Sequence, residues 1–270
     1  MKKITIVTTS QKMLADVHTP VGIYLRVRDK FRDTILLEST DHHASENSYS
    51  FICINAIAGI EIKNEHLLEY KLPAQQPEKI SIINGLNVPT LLWDFMQRFQ
   101  ISSFGGGKEE AFAQGLYGYT SYDAVQFFDK IDLSAAKAHS FREGLGEAIP
   151  LLRYRLYQYV IAINHFKDEL FLLENKIQGV DSELASVVSL IKSKDIPTYP
   201  FGISELETSN ISDEAYIEMV QKGIQSCLRG DVFQIVLSRR FHQKFTGDEF
   251  NVYRALRSVN PSPYLFFFDY

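Results

Sequence analysis

The sequence predicts an α+β fold with mostly antiparallel sheets and packed helices, on three observations. Arg153–Ile163 and Leu170–Ile177 are apolar runs that turn over Lys167-Asp168, the pattern of a hairpin. Helical patterns are mixed among such strands, as in α+β proteins. Aromatic residues are many, 19 Phe and 14 Tyr against 1 Trp, which suits strands and a large core.

The elements follow in order. Thr19-Pro20 is a helix N-cap with proline at the first helical position, opening a short helix through Leu25. Thr34–Ser39 reads as a strand, His42–Asn47 as a polar loop, and Ser50–Ile62 as a strand with a turn near Asn64. A second helix starts near Pro89, with Leu91, Leu92, Phe95, Met96 and Phe99 at apolar positions. Gly115-Leu116-Tyr117-Gly118-Tyr119 is a strand whose small residues admit another backbone closely. Asp181–Lys192 is a helix. Ser193–Ile211 has no clear period and marks a domain boundary or crossover. Ser212 then caps the clearest helix, with Asp213 and Glu214 in its first turn, an Ile211–Tyr216 staple and Gly230 as its stop. Asp231–Phe241 is expected to be a strand, Asp248–Val259 a helix, and Tyr264 onward a strand.

Composition excludes some function classes. A net charge of -5 and a pI near 5.8, with no basic stripe, argue against nucleic acid. No apolar stretch approaches the roughly 18–20 residues of a membrane span. Cys53 and Cys227 each sit in an apolar pattern; two buried thiols without a targeting segment suggest the cytoplasm. The aromatic run Tyr264–Phe268 lies at the end of the sequence with nothing after it to cover it. It suggests the front part of a longer protein, and an unpaired strand edge prone to self-association.

Several motifs carry less than they promise. Gly105-Gly106-Gly107-Lys108 lacks the earlier glycine and the following Ser or Thr of a phosphate loop, since Ser102 and Glu109 stand there. His42-His43 has no Cys or acid at ligand spacing and reads as a turn. No GxSxG element is present, and no catalytic centre is visible from composition or spacing.

Five segments, in order along the chain, resemble the large subunits of chorismate-utilising enzymes. They are Leu36-Leu37-Glu38-Ser39; Tyr49-Ser50-Phe51-Ile52; Gly115-Leu116-Tyr117-Gly118-Tyr119-Thr120-Ser121-Tyr122-Asp123, with Gln114 in place of the family's first glycine; Gly230-Asp231-Val232-Phe233-Gln234-Ile235-Val236-Leu237-Ser238-Arg239-Arg240; and Asn260-Pro261-Ser262-Pro263-Tyr264. The nearest resemblance is to the anthranilate synthase component I family, with the aminodeoxychorismate synthase large subunits beside it. A regulatory or docking module without chemistry of its own is a third reading of this stretch of chain.

The resemblance implies an N-terminal regulatory domain over 1–200 and the start of a chorismate-binding domain over 201–270. It implies a lyase making anthranilate and pyruvate from chorismate and ammonia, with Mg2+ whose ligands lie outside this chain. It also implies a glutamine amidotransferase partner subunit and feedback inhibition by tryptophan. By position the tryptophan site would comprise Glu38, Ser39, Pro263, Tyr264 and Leu265. The chemistry is compatible. Prolines at 261 and 263 keep the turn extended and donate no hydrogen bonds, Ser39 donates or accepts, and Tyr264 offers an aromatic face. Read without the resemblance, Glu38-Ser39 ends a strand and the prolines end a helix. No catalytic residue is assigned, and Arg239 and Arg240 read as structural ion-pair partners.

Overall fold

The computed structural model describes residues 3–39, 48–82, 88–102, 107–131 and 149–270. The chain divides into two compact units, Met1–Pro197 with Pro261–Tyr270, and Thr198–Asn260.

The strands of the first unit are β1 (Ile4–Leu14), β2 (Thr34–Ser39), β3 (Tyr49–Asn64), β4 (Leu67–Lys71), β5 (Glu78–Ser81), β6 (Phe99–Ser102), β7 (Tyr117–Thr120), β8 (Leu152–Asn164) and β9 (Glu169–Lys176), joined by β14 (Tyr264–Asp269) from the chain's far end. They form one ten-stranded sheet of order β14-β2-β3-β8-β9-β1-β6, with the β4–β5 hairpin on β3 and β7 on β8. Of the pairings described, β1 with β6 is parallel and the rest are antiparallel. The expected α+β class holds.

The sheet is built on β3 and β8, 16 and 13 residues long. Their ladder runs from Tyr49↔Asn164 to Ile62↔Leu152, with a register shift between Ala56 and Ala58. Asn55 sits at φ 59° beside that bulge, a backbone region that Asn tolerates better than most residues. The bulge separates two core clusters. One gathers Ile35, Cys53, Tyr157 and Val160; the other Ile60, Ile62, Leu68 and Phe95.

Helix α1 (Pro20–Val27) packs on β2 and β3, where the Tyr24 hydroxyl meets Thr34 Oγ1 at 2.9 Å. Its start is as expected: Thr19 Oγ1 accepts the Gly22 amide, and Pro20 occupies the first turn. Helix α2 (Val88–Met96) and α3 (Leu184–Lys192) complete the unit, α3 packing against α1 and starting three residues later than the sequence suggests. The opposite face of β8 and β9 carries a 3-10 turn, Lys108–Gln114. The buried Asn175 amide holds it there, donating to the carbonyls of Ala113 at 2.6 Å and Tyr157 at 2.9 Å.

The second unit contains strand pairs β10 (Phe201–Ile203) with β13 (Phe245–Gly247) and β11 (Thr208–Ser209) with β12 (Phe241–His242), and helices α4 (Asp213–Arg229) and α5 (Phe250–Val259). The α4 caps are those expected: Ser212 Oγ accepts from the Ala215 amide at 3.2 Å, and Gly230 adopts φ 80°.

Three expectations are corrected. Asp231–Phe241 is not a strand; a ladder forms only at its last residue, and Phe233 is fully exposed. A β-favouring run needs a neighbour to pair with, and the short strands of this unit pair elsewhere. Cys53 is buried, its thiol pKa pushed well up by desolvation, but Cys227 is exposed on α4. The run Tyr264–Phe268 is paired along one edge, forming β14 on β2 with Phe267 edge-on to Tyr24 at 5.9 Å, while it stands outermost in the strand order with Tyr264 and Phe266 exposed. The expected ion-pair role holds for Arg239, whose Nη1 lies 2.5 Å from Asp213 Oδ1. Among the described residues no helix is long and apolar enough to cross a membrane.

Two features of the sheet are open to test. A Cβ on Gly118 would stand 1.9 Å from the Arg153 carbonyl oxygen, a clash with backbone across the β7–β8 ladder. Gly118→Ala is expected to cost about 1–3 kcal/mol in urea unfolding. Gly115→Ala, with nothing within 4 Å of the added Cβ, should stay within about 0.5 kcal/mol. Equal effects would show that the approach of the strands is not what selects glycine.

Glu61, 6% exposed, accepts from Arg153 Nε at 3.0 Å and Arg155 Nη2 at 2.7 Å. Burial alone would raise its carboxyl pKa. The Arg155 hydrogen bond and charge, with the charges of Arg153 and Lys63, overcome that and hold it below the ordinary 4.5. Its contribution is therefore present above pH 4.5 and is lost as pH falls through the depressed folded value. Glu61→Gln should lose about 1.5–3 kcal/mol at neutral pH, with the gap to the parent narrowing in acid. A gap that does not change with pH would contradict this.

Candidate functional site

The two segments assigned to a ligand from sequence lie side by side. β14 pairs antiparallel with β2 in the register Tyr264↔Ser39, Leu265↔Glu38, Phe266↔Leu37, continuing to Asp269↔Thr34. Residues directly opposite in an antiparallel pair share a face, and alternate residues change face. The five candidates therefore divide. Glu38 and Leu265 share the face of Thr34 and α1; Ser39 and Tyr264 share the face of Ile35. Pro263 precedes the strand and is exposed.

Their environments differ. Glu38 is 4% exposed, an acid within the sheet. Leu265 is half-buried, while Tyr264 is 75% exposed. A buried carboxylate beside an apolar side chain suits a ligand with an ammonium group and an apolar body, since charge attraction strengthens as water is excluded.

Ser39 is held by a polar cluster that sequence reasoning missed. Its amide donates to Ser50 Oγ at 3.2 Å, and Ser48 Oγ donates to Ser39 Oγ at 3.2 Å. Ser50, fully buried, lies 2.7 Å from His165 Nε2, and the His165 amide donates to the Ser48 carbonyl at 3.1 Å. Ser50 stands within a segment that the sequence already singled out. His165 lies in a hairpin turn 115 residues away and gives no local signal of the contact.

A third segment of the resemblance also reaches β14. Tyr119, on β7, stands edge-on to Phe268 at 5.8 Å. Beside it is a cleft of about 690 Å³ whose lining includes Lys63, Tyr119, Arg153, Phe268 and Tyr270. Its cations are engaged, Lys63 by Glu61 and Glu69 and Arg153 by Glu61, so it presents aromatic walls rather than an anion site. Lys108 opens the 3-10 turn described above, whereas His42, His43 and residues 103–106 of the glycine loop lie outside the described residues. Among the described residues no three His, Cys, Asp or Glu side chains are placed to hold a metal ion.

The comparisons with known proteins agree with the motifs. A family model described as chorismate binding enzyme matches residues 55–270; Leu36–Ser39 lies ahead of it. Anthranilate synthase component 1 of Lactococcus lactis is 27% identical over 270 residues, covering 96% of this chain and 54% of that protein. Anthranilate synthase alpha subunit 2, chloroplastic, of Arabidopsis thaliana is 35% identical over 177 residues, 58% of this chain and 28% of that protein. The crystal structure of anthranilate synthase component I from Streptococcus pneumoniae TIGR4 aligns with a TM-score of 0.49 at 20% identity, covering 94% of this chain and 54% of that one. The chain spans about half the length of the bacterial relatives it matches.

Proposed function

From the chain's belonging to the chorismate binding enzyme family, we propose that it is the regulatory front portion of an anthranilate synthase component I. The parent reaction turns chorismate and ammonia into anthranilate and pyruvate in tryptophan biosynthesis, with ammonia delivered by a glutamine amidotransferase subunit. The part carried here binds tryptophan as a feedback inhibitor. The observation that carries this reading is the register of β14 on β2, which puts Glu38-Ser39 directly against Tyr264-Leu265.

At this end of the seam β2 stops at Ser39 and β14 begins at Tyr264. A small ligand seated there reaches side chains from both faces of the sheet. The Glu38 carboxylate attracts an ammonium, and Leu265 on the same face gives the indole an apolar wall. The Ser39 hydroxyl and the Tyr264 ring serve the carboxylate and the remaining ring edge from the other side. Magnesium, implied for the family, has no ligand set among the described residues, so no step is drawn through it.

Calorimetry with tryptophan tests the site. Ser39→Arg should abolish binding by bulk. Leu265→Met, close in volume, should change affinity less than about threefold. Undiminished binding by Ser39→Arg would move the site elsewhere.

Turnover tests the division of labour. Supplied with chorismate, ammonium and magnesium, the 270-residue chain should produce no anthranilate fluorescence. Turnover that survives repurification would place catalysis within these residues.

A further inference from the structure

We propose that His165 is a positioning residue of the amino-acid site: through Ser50 it holds the backbone of Ser39 where a ligand meets it. The inference rests on the reading of Glu38-Ser39 as that site. It begins from where the ladder stops. β2 and β3 pair at Ile35↔Cys53, Leu36↔Ile52 and Leu37↔Phe51. Beyond Leu37 side chains take over, with the Ser39 amide on Ser50 Oγ and the Ser39 hydroxyl on Ser48.

Both serines are held by one residue. The His165 amide donates to the Ser48 carbonyl, and its Nε2 meets Ser50 Oγ at 2.7 Å. The turn that carries His165 is braced separately. Asn164 Oδ1 accepts the amides of Phe166 at 2.9 Å and Lys167 at 3.0 Å. On its β3 side the ligand-bearing end of β2 is thus tied to a braced turn rather than by a ladder, while β14 pairs along its other edge.

Donor counting shows how the tie restrains the hydroxyl. A serine hydroxyl has one proton and two lone pairs. Ser50 Oγ uses one lone pair on the Ser39 amide and keeps a second lone pair and its proton, so it can meet Nε2 with either tautomer of the imidazole. This arrangement aims the lone pair at Ser39. Without the imidazole the hydroxyl can rotate, and the Ser39 amide loses its bond on the β3 side. A brace acting on stability alone would leave ligand affinity unchanged.

The test measures tryptophan affinity by calorimetry, and unliganded stability by urea unfolding, on the full 270-residue chain. His165→Ala and Ser50→Ala should each weaken binding about tenfold, the scale of one hydrogen bond. The double variant should lose no more than either single one, because both cut the same relay. His165→Gln, whose amide can meet Ser50 from a similar position, should recover to within about threefold of the parent. Binding by His165→Ala within twofold of the parent, or losses that multiply to about a hundredfold in the double variant, would overturn the relay. If His165→Ala does not fold, Ser50→Ala decides, and unchanged affinity there overturns it. No binding by the unmodified chain overturns the site itself, and this inference with it. Binding by the unmodified chain, indifferent to His165 and Ser50, overturns this inference alone.

Discussion

The long ladder between β3 and β8 is the constraint on which the rest depends. Twelve Cα pairs tie these strands from Tyr49↔Asn164 to Ile62↔Leu152, and other elements are placed by what they meet along it. At one end it brings Glu61 beside Arg153 and Arg155; at the other it carries Ser50 to the turn that bears His165. Between them the bulge at Ala56–Ala58 shifts the register and separates two of the core clusters. A one-residue slip would turn every side chain of β3 to the wrong face, and with residues such as Ile52, Cys53 and Ile54 all buried, the packing on both sides resists it.

β2 and β14 extend that ladder outward, and the extension has chemical consequences. The pairing of residues more than two hundred positions apart places an acid from one segment opposite an apolar side chain from the other. Neither segment alone offers both. The same pairing gives the aromatic run a partner along one edge, with Phe267 against Tyr24 and Phe268 against Tyr119, while Tyr264 and Phe266 remain exposed. The seam carries apolar side chains along most of its length and ends in a polar cluster.

Family membership and physical reading contribute different things. The matched residues 55–270 establish the family, but that stretch begins after Leu36–Ser39 and says nothing about the ligand that segment would hold. The proposed amino-acid site is argued from register, burial and donor geometry. The ion network around Glu61 is separate from it: its charges are satisfied within the sheet, and the aromatic cleft beside it offers no comparable recognition of an ammonium or carboxylate.

What the sequence determined by itself was local. Thr19-Pro20, Ser212 and Gly230 set helix ends because capping and φ preferences act over a few residues. Gly118 announced a close backbone approach because only the absence of a Cβ permits one. Pairing was not legible in the same way. Asp231–Phe241 has the composition of a strand but joins a ladder only at Phe241, and Cys227 follows an apolar stripe yet faces solvent. The motifs suggested that Glu38-Ser39 and Tyr264-Leu265 belong together; the register, and the split of these residues between two faces, came only from the fold. The Ser50–His165 contact had no sequence signal, since one hydroxyl and one imidazole 115 residues apart carry no period, cap or spacing. Local preference is written in neighbouring residues, whereas a cross-sheet partner is chosen by the packing of the whole sheet.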